Sequence, residues 1–293
     1  GLLTAATMPS AMAYVGDATS EEDRGGGIGW LGSAAGLGII LGPGVGGWLG
    51  QGSLSRPFFV GAALAWTALL LVGFLLPESA PAPSEADGED TRRLRPRQLA
   101  DALSSSIGLP LLLLFLVSFG LANFEAVFGL YAAERFGFGP ERVGTILMVV
   151  GLVTTLGKGA LTGPLTRRWG EERVVQASML AGAVGYLVLL AAFDYVTILL
   201  ATAAFILSKT VLRPALLALI SRRADVGQGT AMGLGNTFLS LGRIVGPLWA
   251  GFIFDVGLAL PYLSGAAILA TGFTASLVWI GSREGAPAEA RSR

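Results

Sequence analysis

Apolar runs of about twenty residues or more, separated by short polar stretches, follow one another along the chain. Eight are complete: 26–50, 57–76, 107–133, 143–163, 174–193, 196–220, 228–254 and 260–281. Residues 1–16 read as the end of a ninth. About twenty helical residues cross the hydrocarbon core of a bilayer. A backbone in lipid must satisfy its own hydrogen bonds, and no strand-type alternation competes with the helical reading. The predicted class is therefore an all-α membrane protein.

The polar stretches divide the chain further. Pro77–Ser106 contains Pro81-Ala82-Pro83-Ser84, an acidic run from Glu85 to Asp90, and then Arg92, Arg93, Arg95 and Arg97. It reads as a flexible connection between two helical bundles. The expected organisation is residues 1–78 as the end of a first bundle, 79–106 as linker, 107–282 as a six-helix bundle and 283–293 as a tail. Arginine placement gives an orientation. The linker, the tail and the loops 17–25, 164–173 and 221–227 carry thirteen arginines, against three on the other side, at Arg56, Arg135 and Arg142. Such a bias places the linker and the C-terminus in the cytoplasm.

Only 14% of residues are charged and 53% are hydrophobic, with mean hydropathy +0.66. The net charge is zero, which gives no footprint for nucleic acid. The chain has neither cysteine nor histidine, so thiolate and imidazole metal ligands, disulfides and histidine catalysis are excluded. Forty-three glycines fall largely within apolar runs, where small residues let helices approach closely.

Some of those glycines form a repeated pattern. The first copy is Gly29, Gly38, Gly42, Pro43, Gly46 and Gly47; the second is Gly233, Gly242, Gly246, Pro247, Ala250 and Gly251. Each position is shifted by the same 204 residues. Glycines four apart share a helix face, and proline removes a backbone donor and allows a bend. The offset leaves room for about three more helices ahead of residue 1, which would make twelve in all. Gly27-x-Gly29-x-x-Gly32 formally fits a dinucleotide fingerprint, but no strand precedes it and no βαβ unit surrounds it, so it is set aside.

The first copy resembles the antiporter motif in the fifth helix of drug:proton antiporters of the major facilitator superfamily. Residues Pro9 to Arg24 resemble the fourth helix and following loop of tetracycline- and multidrug-efflux members. Gly163-Pro164-Leu165-Thr166-Arg167-Arg168-Trp169-Gly170 resembles a degenerate copy of the superfamily's cytoplasmic loop motif, with its usual aspartate replaced. Leu212-Arg213-Pro214-Ala215 resembles the tenth helix. The resemblance implies two parallel bundles that rock around a midplane site and a glycine face that seals the bundle interface against proton leak. Gly38, Gly42 and Gly46 are then expected to face helix 143–163. No cofactor is implied beyond a proton gradient. The partners implied are the lipid bilayer and a small-molecule substrate, the protein being a monomer in a bacterial inner membrane.

Charges inside the spans complete the reading. Glu125, Lys158, Lys209, Arg213 and Arg243 are costly in hydrocarbon and are expected to face a cavity or a partner, Lys158 by snorkelling. Asn123, Glu125, Lys209, Arg213 and Arg243 are the candidate proton or substrate cavity, with Glu125 the one carboxylate well inside a complete span. A proton-coupled exporter of amphiphilic compounds is the leading function. A metabolite exporter of the same superfamily and a non-transporting membrane sensor remain open. No histidine, metal set or paired catalytic carboxylates support an enzyme.

Overall fold

The computed structural model describes residues 7–20, 22–77 and 102–284, with side chains as far as Trp279. Regular structure among them is helical throughout: α1 (Thr7–Ala18), α2 (Arg24–Gly50), α3 (Arg56–Leu75), α4 (Gly108–Phe136), α5 (Pro140–Ala191), α6 (Tyr195–Thr210), α7 (Leu212–Arg223), α8 (Gln228–Phe254) and α9 (Leu260–Glu284). Residues 78–101 of the expected linker and 285–293 of the tail lie outside the described residues.

Seven helical stretches among the described residues are long and apolar enough to cross a membrane, α6 and α7 forming one of them. α5 accounts for two of the apolar runs, because its 52 residues are interrupted at Gly170, where φ is 76° and ψ 158°. Backbone of that kind is open to glycine and strained for residues with a Cβ. The sequence reading of a loop over 164–173 is corrected to this single non-helical residue. Gly170→Ala is expected to destabilise the turn by roughly 1 kcal/mol, read as a lower unfolding midpoint that Gly163→Ala does not share. α4 ends on Gly137, also at positive φ (66°). There Gly137 N–H donates to Ala133 O and Phe138 N–H to Ala132 O, which satisfies two carbonyls of the last turn.

Side-chain caps and prolines set other boundaries. Asp194 and Thr197 form a reciprocal capping box at the start of α6. The bonds from Thr197 hold the Asp194 carboxyl below the usual carboxylate range. Pro214 has no N–H to give the carbonyl four residues earlier, which is Thr210, and α6 passes into α7 at that residue. The lateral surfaces are apolar: Trp30 and Phe74 are 80% and 83% exposed, with Phe58, Phe59 and Leu75 beside them in character. Exposed apolar faces of this size mark a side that meets lipid or another protein surface.

The chain divides into two compact units, one of residues 1–92 with 139–151, the other of 93–138 with 152–293. In the first, α2 packs on α1 and α3, and Tyr14 donates to Pro77 O over 3.2 Å. In the second, α4 is the central helix, with α8 packed most extensively along it and α6, α7 and α9 also against it. Leu111, Leu114, Val117, Met179, Leu212 and Leu216 form the middle of its core. One end is closed by polar contacts. Arg222 pairs with Glu171 at 2.9 Å, Arg223 pairs with Glu172, and the Arg223 guanidinium lies 4.3 Å from the Trp279 ring centre. Ser106 Oγ lies 2.7 Å from both Arg223 O and Asp225 Oδ2.

Candidate functional site

The glycine pattern marks two places of close backbone approach, one in each unit. In the second unit, a first side-chain carbon at Gly242 would stand 2.7 Å from Phe115 O and Phe119 N. One at Gly246 would stand 2.7 Å from Phe119 O and 3.0 Å from Ala122 Cβ. Both neighbours belong to α4, so α8 rests on it backbone to backbone. Ser118 Oγ donates to Leu239 O across the same seam at 2.6 Å. Gly233 and Gly251 have open space, while Ala250 is fully buried.

The first copy behaves differently. Side-chain carbons added at Gly29, Gly38, Gly42 or Gly46 would meet nothing within 4 Å among the described residues. The contact is made instead by Ile40, Pro43, Gly44 and Gly47 with the first turns of α5. A carbon at Gly47 would run into Pro140 O and lie 2.9 Å from Gly144 Cα; one at Gly144 would run into Pro43 O. Gly151 faces Ile39 O and Ile40 Cα. The expectation that Gly38, Gly42 and Gly46 face this helix is corrected. Two residues turn an α-helix by roughly 200°, so the stripe through 40, 44 and 47 lies nearly opposite the stripe through 38, 42 and 46. Pro43 also frees the Ile39 carbonyl, the group that Gly151 approaches.

The polar candidates separate into an interior set and a surface set. Asn123 is fully buried, and its Nδ2 donates to Pro261 O at 2.7 Å. Lys209 is buried as well. Its Nζ lies 5.0 Å from the Phe205 ring centre and 5.3 Å from that of Tyr186. Ring faces attract a cation, and Nζ has no hydrogen-bond partner among the described residues. Two glycines make room for it: a carbon at Gly120 would be 3.3 Å from Nζ, and one at Gly182 would be 3.1 Å from Cε. Glu125, Arg243, Arg213 and Lys158 lie on exposed faces. The Arg243 charge acts on Glu125 across the α4–α8 seam without an ion pair; among the described residues the ion pairs are Arg222–Glu171 and Arg223–Glu172.

The reading of the sequence passed over the aromatic residues that surround these groups. Tyr186 is fully buried and donates a short hydrogen bond to Gly120 O. The Tyr131 and Tyr262 ring centres are 4.4 Å apart, and both hydroxyls are buried without hydrogen-bond partners among the described residues. Phe124 packs on Phe205 at 5.1 Å. A signal was present: the chain has five tyrosines, and Tyr131, Tyr186 and Tyr262 each interrupt or edge an apolar run. A hydroxyl there needs a buried partner or an interface.

A fold of helices long and apolar enough to cross a membrane, a doubled glycine pattern and a polar cluster inside one helical unit define a polytopic membrane transporter class. The Major Facilitator Superfamily model matches residues 1–207 and again 111–293. Two overlapping matches are what two similar halves produce. Multidrug resistance protein 2 of Bacillus subtilis (strain 168) is 31% identical over 283 residues, covering 95% of this chain and 70% of that protein. Multidrug resistance protein 1 of the same strain is 30% identical over 281 residues, with coverage of 95% and 71%. Quinolone resistance protein NorA of Staphylococcus aureus (strain COL) is 26% identical over 278 residues, with coverage of 95% and 71%. The human organic anion transporter MFSD10 (TETRAN) shares the fold, with TM-score 0.60 at 24% identity, over 90% of this chain and 66% of that one. The chain belongs to the Major Facilitator Superfamily.

Proposed function

We propose that this chain works in the export of small amphiphilic compounds, drugs among them, by proton-coupled alternating access. The observation that carries this reading is the glycine-to-glycine approach of Gly47 and Gly144, on the helix bearing the antiporter pattern. Two backbones in contact without intervening side chains make a smooth seam, which suits helices that slide or part during a transport cycle. The relatives named for multidrug and quinolone resistance, similar over 95% of this chain, support the substrate class. The polar interior of the second unit supports ion coupling, since buried ionisable groups in membrane spans mark ion and substrate paths. In this reading the exposed faces of α4 and α8 that carry Glu125 and Arg243 line the substrate path beside that interior, Arg213 lies nearer the cytoplasm, and the arginine-rich loops face inward in a bacterial inner membrane. The working form is a monomer.

The test uses the complete transporter in bacterial cells stripped of their own pumps. Expression is expected to lower accumulation of a fluorescent cationic dye several-fold, and a protonophore is expected to restore it. Unchanged dye accumulation, with the protein present in the membrane, rejects export. Lowered accumulation that a protonophore leaves intact rejects proton coupling.

A further inference from the structure

We propose that the interior of the second unit holds a water-filled route for protons that ends on Lys209, a proposal that rests on the proton-coupled reading above. Tyr131 Oη, Tyr262 Oη, Asn123 Oδ1 and Lys209 Nζ are four of the buried polar side-chain atoms in this unit that have no hydrogen-bond partner among the described residues. They form a column. The Tyr131 and Tyr262 rings are 4.4 Å apart, and the Tyr262 and Tyr186 rings 6.2 Å. Asn123 is bonded to Pro261 O, the residue before Tyr262. Tyr186 Oη and Lys209 Nζ meet at Gly120, where an added carbon would be 3.6 Å from one and 3.3 Å from the other. From Tyr131 to Gly120 the column follows α4 for about 16 Å.

Buried polar atoms nearly always find a protein group or an ordered water. A buried water needs two to four polar neighbours. The column supplies three phenol oxygens, an amide oxygen, an amine and the carbonyls of Gly120 and Pro261. Its ligand is therefore water, and its cargo a proton. The polar lining stops at Lys209: Thr210 Oγ1 is bonded within its own helix to Ile206 O, and Val211 and Leu212 beyond it are buried and apolar.

The groups around Lys209 come from four helices. α4 offers Gly120 and, about one turn and a half further on, Glu125, whose charge reaches Tyr186. α5 offers Gly182 and Tyr186, and α9 offers Leu269. α6 itself offers Phe205 and Ser208. Arg243 on α8 acts on Glu125, and Arg213 is exposed one turn beyond Lys209. No carboxylate forms an ion pair with Lys209 among the described residues. A proton arriving in the column's water forms an N–H bond on the Nζ lone pair, and the resulting ammonium rests between the two ring faces. On release that bond breaks and the proton returns to water. No electrons or other reactants are exchanged.

The test has two arms in the complete, reconstituted transporter. Hydroxyl-radical footprinting is expected to label Tyr131, Tyr186 and Tyr262, whereas Phe124, Phe128 and Met179, equally buried, stay unlabelled. Proton uptake against a dye gradient is expected to fall at least tenfold in Lys209→Met and in Lys209→Gln, with dye binding kept. Lys209→Arg is expected to fail as well, because a guanidinium does not give up its proton; a fixed structural charge would be rescued by it. Unlabelled tyrosines, normal proton uptake in Lys209→Met and Lys209→Gln, or rescue by Lys209→Arg would each overturn the route in a protein that still moves protons. Wild-type transporter that exports dye without moving protons overturns the coupling reading, and the proton cargo with it.

Discussion

Leucine at Gly246 is expected to prevent the second unit from folding. The first carbon of any side chain there meets Phe119 O and Ala122 Cβ, and neither yields, because both belong to the central helix. Overpacking a tight core costs roughly 1–3 kcal/mol even where side chains shift aside, and a backbone carbonyl has less freedom. Gly242→Leu meets the same wall at Phe115 and Phe119. Both variants should lose most of the folded protein extracted in mild detergent, measured by size-exclusion fluorescence. Gly251→Leu, on the open side of the same helix, should not. Equal yields for all three would remove the α4–α8 seam from the account of stability.

Gly47→Leu and Gly144→Leu are expected to part residues 140–151 from α2 without unfolding the rest. The loss is local because the contact is a narrow strip bounded by Ile40, Pro43 and Met148. Amide exchange over 140–151 should rise by an order of magnitude, and dye export by the complete transporter should stop. Within the described residues Gly42→Leu has open space, so it should leave exchange over 140–151 unchanged. If Gly42→Leu raises that exchange and Gly47→Leu does not, the contact stripe has been placed on the wrong side of α2.

The spans were legible because lipid demands unbroken apolar runs, and nearly every run became a helix in place. Gly170 was harder. A polar cluster such as Arg167-Arg168-Trp169-Gly170-Glu171 reads as a loop, yet one positive-φ residue turns the chain and helix resumes at once. The glycine motif was recognised by its spacing, but spacing does not say which stripe is in contact. A glycine has no side chain to advertise its face, and the choice belongs to the partner helix. Lys209 was visible as a charge in an apolar run. Its aromatic neighbours were not, since Tyr186, Phe205 and Tyr262 lie on three different helices and meet only in space. Glu125 sits as deep in its run as the sequence indicates, and within the second unit it occupies an exposed face where the Arg243 charge acts on it.

The paired ends of the second unit carry a geometric consequence. Arg222 and Arg223 are consecutive, and so are their partners Glu171 and Glu172. Neighbouring residues on a helix point about 100° apart. Two adjacent matches therefore act like the teeth of a key. A slip of either helix by a single residue breaks at least one pair and swings the Arg223 guanidinium off the indole of Trp279. The Coulomb attraction at this rim is modest and weakened by salt. Its value is selective rather than adhesive: among the many ways apolar helices can lie side by side, it singles out one alignment.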